Sequence, residues 1–198
     1  MRLRHSPTSP FVRKVRIVAA MLDLTDRIAL APADTMNPND ALLGVNPIGR
    51  VPTLGLDDGT VLVDSRVICD YLNAMAGGAL VPADPLARAR EHSETCIADG
   101  VTEASLLMRY EAMFHETAQV SPRWIDHQAA KVARALAYFE NRPPQGAPSL
   151  SHVALACALG YRDFRFQGTW RESHPRLVAW LDGFAARDPS FAQTAPPV

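Results

Sequence analysis

Lysine is almost missing from this chain of 198 residues: only Lys14 and Lys131 occur, and the other basic residues are arginines. Twenty basic residues stand against 21 acidic ones, and a formal net charge of −1 gives no electrostatic case for nucleic acid or an anionic membrane. Cysteine is scarce too. Cys69, Cys96 and Cys157 are odd in number, far apart and without a C-x-x-C pair, which argues against a disulfide framework and a zinc knuckle. The histidines show no metal-ligand spacing, so no metal is expected. No apolar run approaches the ~20 residues of a membrane span. Arg2, Arg4, Pro7 and Pro10 interrupt the start before a signal peptide could form. The expectation is a soluble cytoplasmic protein. No internal repeat is visible, and the 16 prolines fall at segment ends as punctuation.

What is present divides near Gly77–Pro85. Ahead of that point, short strand-like runs (Leu3; Ile28–Leu30; Thr53–Leu56; Val61–Val63) alternate with helical spacing. Val12, Val15, Ala19 and Leu22 lie on one helix face, and so do Val67, Ile68, Tyr71, Leu72 and Met75. This is a βαβ unit followed by a ββα unit. Beyond Pro85 only helical spacing remains: Ile97 to Met108, Ile125 to Phe139, Val153 to Phe166, and Pro175 to Ala186. The expected fold is α/β plus all-α, with domains at 1–77 and 85–198.

Two places stand out chemically. Pro52 opens a strand-like run after the turn-rich Asn46–Arg50, and a proline there leaves the N–H and C=O of Val51 facing outward for a ligand. Ser9, just before Pro10, is a good N-cap for the first helix. The same hydroxyl, at the positive end of a helix, is also well placed to stabilise a thiolate and lower its pKa. Both readings of Ser9 stand, with Ser6, Thr8 or a main-chain N–H as alternatives. Asp64–Ser65 opens the next helix, and there too Ser65 as a plain cap is the bland alternative.

Together, Ser9-Pro10-Phe11-Val12-Arg13-Lys14, Asn46-Pro47-Ile48-Gly49-Arg50-Val51-Pro52, Asp64-Ser65 and the helix Leu155–Arg165 resemble a bacterial glutathione S-transferase of the serine type. The resemblance runs in order over most of the chain. It implies a thioredoxin-like βαβ-ββα N-terminal domain, a helical-bundle C-terminal domain and glutathione as co-substrate. It also implies a twofold homodimer, with a role in detoxification.

Position by position, the resemblance gives Ser9 the catalytic hydrogen bond to the glutathione sulfur. It gives Val51, before a cis Pro52, main-chain pairing with the cysteinyl group, and Asp64 and Ser65 the γ-glutamyl end. Arg50 would meet the glycyl carboxylate, and Phe11 joins the glutathione set. Asp99 would reach a partner subunit's γ-glutamyl ammonium. The pocket for a small hydrophobic electrophile is expected to draw on Thr8, Leu107, Met108, Tyr110, Met113 and Trp124. Two departures are visible: Ser149-Leu150-Ser151-His152 has histidine where the family commonly carries an aspartate in its helix-capping box, which leaves that cap in doubt, and Arg4 and His5 make the end of the first strand more polar than is usual in the family. The alternative function is a glutathione-binding or structural homologue without turnover.

Overall fold

The structure, a computed structural model describing residues 1–197, contains one four-stranded sheet of order β2-β1-β3-β4. β1 (Arg2–His5) leads into α1 (Pro10–Met21), and the chain returns to β2 (Ala29–Pro32), parallel to β1. β3 (Thr53–Gly55) runs antiparallel to β1, and β4 (Val61–Val63) antiparallel to β3. α2 (Ser65–Met75) follows directly. The core forms where both periodicities point inward: Leu3 and Leu54, opposite each other in the register, are buried with Val15, Val18, Ile68 and Leu72. A mixed sheet with helices of this order is a thioredoxin-like domain, followed by a helical one.

The helical part comprises α3 (Pro85–Phe114), α4 (Pro122–Asn141), α5 (Leu150–Phe166) and α6 (Pro175–Arg187). Its core includes Val101, Leu136, Phe139, Leu155, Leu159, Leu177 and Phe184, all buried. Contacts divide the chain into one compact unit of Met1–Pro85 with residues 188–197 and a second of Leu86–Arg187. The C-terminal boundary thus differs from the expected 85–198. The reason is chemical: α7 (Pro189–Gln193) is tied to α1 by Arg13, a buried guanidinium. Arg13 donates to the Phe191 carbonyl at 2.5 Å and to Thr194 Oγ1 at 3.4 Å, and lies 4.0 Å over the Phe191 ring.

The cap of α5 is resolved differently from the sequence expectation. The Ser149 side chain makes no capping hydrogen bond, and Ser149 Oγ lies 3.2 Å from Ser151 Oγ. Instead Glu91 of α3 accepts the Ser151 N–H at 2.5 Å. A carboxylate at that helix end satisfies an otherwise orphaned donor and suits the dipole. Glu140 of α4 does the same for α6, accepting from the N–H groups of Arg176 and Leu177 at 3.0 and 2.9 Å. His152, in the aspartate's place, is buried edge-on against Trp180 at 5.9 Å.

Glu91→Ala is therefore expected to cost about 1–3 kcal/mol in denaturant unfolding, the penalty of an unsatisfied buried donor. His152 adds a pH dependence. Burial holds its pKa below the ordinary 6.5, with Glu91 opposing and Arg187 assisting. The unfolded chain then binds the proton more readily, so stability is fully present above pH 6.5 and falls as pH drops toward the folded pKa. His5, whose pKa burial and Arg16 also lower, acts with the same sign. His152→Phe should flatten part of that slope in melts run across this range.

Candidate glutathione site

Register decides what gathers at one end of the sheet. Arg4 of β1 lies opposite Thr53 of β3, and Thr53 lies opposite Val63 of β4. The C-terminal ends of β1 and β4 and the start of β3 therefore share one edge, across a span of about 10 Å from strand spacing. Ser9, Val51–Pro52 and Asp64–Ser65 all lie within a few residues of that edge. α1 and α2 both begin there, so two helix N-termini, with their unsatisfied N–H groups, sit at the same end.

Ser9 is the N-cap of α1. Its backbone is extended, and its Oγ accepts the Val12 N–H at 3.3 Å. A serine hydroxyl has one donor proton and two acceptor positions, so capping leaves the proton available. The two readings of Ser9 are thus compatible. The neighbouring hydroxyls are paired with each other, Ser6 Oγ lying 3.4 Å from Thr8 Oγ1. Phe11 is half-buried, with the Lys14 ammonium 5.7 Å from its ring centroid.

The Val51–Pro52 bond is cis, as the resemblance implies. Pro52 is buried, Val51 half-buried and Arg50 exposed. The residue that organises this turn was not singled out from the sequence. Asn46 is 1% exposed; its Nδ2 donates to the Arg50 carbonyl and to Thr53 Oγ1, both at 2.9 Å, and its Oδ1 accepts the Ile48 N–H at 3.1 Å. Thr53 Oγ1 in turn donates to the Arg50 carbonyl at 2.9 Å. Asn46-Pro47 reads from sequence only as a turn; its long-range role needed the β3 register. Gly49 adopts φ 59°, and a Cβ there would meet Leu43 Cδ2 at 2.9 Å, so this turn requires glycine.

Asp64 caps α2 with φ 70° and ψ 131°, a sparsely populated conformation for a non-glycine residue. Its carboxylate accepts from the Arg66 N–H at 2.9 Å, Arg66 Nε at 3.0 Å and Arg66 Nη2 at 2.8 Å. Those hydrogen bonds hold its pKa below the ordinary carboxylate value; burial works against them, and the charge of Lys14 assists. Arg66 is a site neighbour that the sequence reading missed. Ser65 is 4% exposed, and its hydroxyl makes no hydrogen bond among the described residues.

The remaining expected residues lie in the second unit. Leu107, Tyr110, Met113 and Trp124 are exposed on α3 and α4, and Met108 is half-buried. Asp99 differs from expectation. It is 4% exposed, between Thr95 at 1% and Thr102 at 2%, so its carboxylate lies inside the chain. The cross-subunit role therefore lacks the accessible carboxylate it requires. Among the described residues no group of three or more His, Cys, Asp and Glu could hold a metal ion, and no helix is long and apolar enough to cross a membrane.

A thioredoxin-like domain with two hydroxyl-bearing helix N-termini at one sheet edge, followed by a helical domain, defines a class. Residues 8–75 match the glutathione S-transferase N-terminal domain and residues 122–183 the glutathione S-transferase C-terminal domain. The uncharacterised GST-like protein YibF of Escherichia coli K12 is 33% identical, covering 100% of this chain and 99% of its own. A maleylacetoacetate isomerase of Pseudomonas aeruginosa is 35% identical over 79% of this chain and 76% of its own. A glutathione transferase family member from Pseudomonas fluorescens Pf-5, solved with bound glutathione, superposes with a TM-score of 0.93 at 38% identity, over 100% and 99% of the two chains. The chain belongs to the glutathione S-transferase family.

Asn46→Ala should remove three hydrogen bonds around the Val51–Pro52 turn. Leaving buried partners unmatched costs about 1–3 kcal/mol, readable as a lower denaturation midpoint at unchanged slope.

Proposed function

We propose that this protein is a glutathione transferase: it binds glutathione at the sheet edge, holds it as thiolate and presents it to a hydrophobic electrophile. The observation that carries this reading is the Ser9 hydroxyl, which caps α1 as an acceptor and keeps its proton to donate to sulfur. A hydrogen bond to the thiolate, at the positive end of α1, favours the charged form and makes the nucleophile available near neutral pH.

The tripeptide's other groups find complementary partners on the same edge. The outward main chain of Val51 pairs with the cysteinyl unit. The unpartnered Ser65 hydroxyl and the N-terminus of α2 receive the γ-glutamyl carboxylate, as helix N-termini receive anions generally. Asp64, kept ionised by Arg66, takes the ammonium. Exposed Arg50 meets the glycyl carboxylate. The solved relative with bound glutathione supports this ligand. Exposed Leu107, Tyr110, Met113 and Trp124, with half-buried Met108, offer an apolar surface on the second unit for a hydrophobic electrophile. The protein works as a homodimer in the reducing cytoplasm, and Val67, exposed on α2, is a candidate for the interface. The maleylacetoacetate isomerase relative favours one second reading, an isomerisation in place of a net conjugation.

Ser9→Ala should lower turnover of chlorodinitrobenzene and raise the pH at which bound glutathione ionises, with affinity less affected. An unchanged pH–rate profile would move the role to Thr8, Ser6 or a main-chain N–H. Ser65→Ala should bind glutathione roughly tenfold more weakly by calorimetry, the loss expected for a hydrogen bond to a charged group. Wild-type affinity in that variant would exclude the α2 start as the γ-glutamyl clamp. Wild-type protein that binds glutathione but turns over neither an aryl halide nor a maleyl compound would be a binding homologue.

A further inference from the structure

Residues 188–197 pack in the first unit beside the helix that Ser9 begins, and one buried cation joins the two. Arg13 is 8% exposed. Its Nη2 donates to the Phe191 carbonyl and its Nε to Thr194 Oγ1, and the guanidinium lies over the Phe191 ring. The receiving groups are themselves held. Thr194 Oγ1 donates to the Ser190 carbonyl at 2.7 Å. Asp188 Oδ1 accepts the Ser190 N–H at 2.9 Å and the Ser190 hydroxyl at 2.6 Å. Ser190 and Thr194 are both buried, so Arg13 is anchored on a fixed turn and not on a loose tail.

At its other end Arg13 belongs to the turn that Ser9 caps. The Arg13 N–H donates to the Ser9 carbonyl at 3.0 Å, beside the Val12 N–H that donates to Ser9 Oγ at 3.3 Å. Helical side chains lean toward the N-terminus, so the Arg13 side chain covers this same turn. A first turn is the loose end of a helix, because its N–H groups lack the internal ladder. Apolar packing alone would hold α1 at less cost than a buried guanidinium. What the forked cation adds is direction: two acceptors and a ring face fix its orientation, and with it the turn to which its backbone is bonded.

Direction is what the chemistry assigned to Ser9 needs. A hydroxyl that donates to sulfur must aim its proton, and a small misplacement of a reacting group costs far more in rate than in binding. The sheet brings Ser9 to the edge; the clamp from Arg13 fixes how its turn is set there. We propose that Arg13 is a positioning residue: anchored on Phe191 and Thr194, it holds the first turn of α1, and Ser9 with it, in the orientation that serves the thiolate. The inference rests on the transferase reading of Ser9. It makes residues 188–194, far from Ser9 in sequence, a working part of that site.

The test compares pH–rate profiles with glutathione and chlorodinitrobenzene in the full chain, for Arg13→Met, Arg13→Lys, Ser9→Ala and each Arg13 variant combined with Ser9→Ala. Arg13→Lys keeps the charge and loses the fork. Both Arg13 variants should raise the pH at which bound glutathione ionises by roughly half a unit, about a threefold loss of thiolate below that pH, with KM for glutathione little changed. In the Ser9→Ala background neither should add a further shift, because both act through Ser9. Phe191→Leu, which leaves Arg13 in place, should move the profile the same way, and it decides the matter if an Arg13 variant fails to fold. A lower thermal midpoint with a wild-type profile would make Arg13 a structural anchor and overturn the proposal. A shift in Arg13→Met without one in Arg13→Lys would make the effect one of charge, and a full shift in the Ser9→Ala background would place it elsewhere; either overturns the proposal. No shift in Ser9→Ala itself would remove the reading of Ser9 together with this inference. A shifted Ser9→Ala beside unshifted Arg13 variants would remove the inference alone.

Discussion

The register Arg4–Thr53–Val63 across β1, β3 and β4 is the constraint on which the rest of the first unit depends. Strand pairing has a side-chain period of two, so a slip by one residue would turn buried Leu3 and Leu54 to the wrong face. The hydrophobic cost of that error fixes the register. Once it is fixed, Ser9, Val51–Pro52 and Asp64–Ser65 have no choice but to emerge at one edge. A site assembled from three separated segments is thus positioned by the sheet core and needs no contacts of its own to bring it together.

At that edge the groups proposed for chemistry also serve structure. Ser9 and Asp64 each cap a helix by accepting a backbone N–H, at 3.3 and 2.9 Å, and each retains capacity for a ligand. Asp64 pays with an unusual backbone, φ 70°, held by its three contacts to Arg66. Strain of this kind persists only where surrounding structure over-determines it, and it concentrates at functional sites. Asn46 plays the corresponding part for the middle segment. It links a long turn-rich stretch to the start of β3, so the conformation of Val51 is tied to the sheet.

Local signals in the sequence carried most of this. Strand-like runs and helical spacing, Ser9 before Pro10, and proline ahead of β3 each act over a few residues. They sufficed for the order of strands and helices, while the family resemblance carried the thioredoxin-like domain and the residues proposed for the site. What escaped depends on partners far along the chain. Arg13 meets Phe191 and Thr194 across 178 and 181 residues, which moves the C-terminal segment into the first unit. Glu91 caps α5 across 60 residues, replacing the box that Ser149–His152 lacks. Asp99 looked like a surface carboxylate because helix spacing does not say which polar residues a neighbouring element covers. Arg66 is the exception: its pairing with Asp64 is local, but a basic residue in a first helical turn has several possible partners, and periodicity does not choose among them.

On the proposed reading, glutathione binds at the sheet edge, on the N-termini of α1 and α2 and the main chain of Val51. Titration of the labelled protein with glutathione, followed by backbone amide shifts, reads this directly. The largest shifts are expected at Val51, Ser65, Arg66, Phe11 and Val12. Saturating shifts that leave these amides unmoved and fall elsewhere on the chain would contradict it.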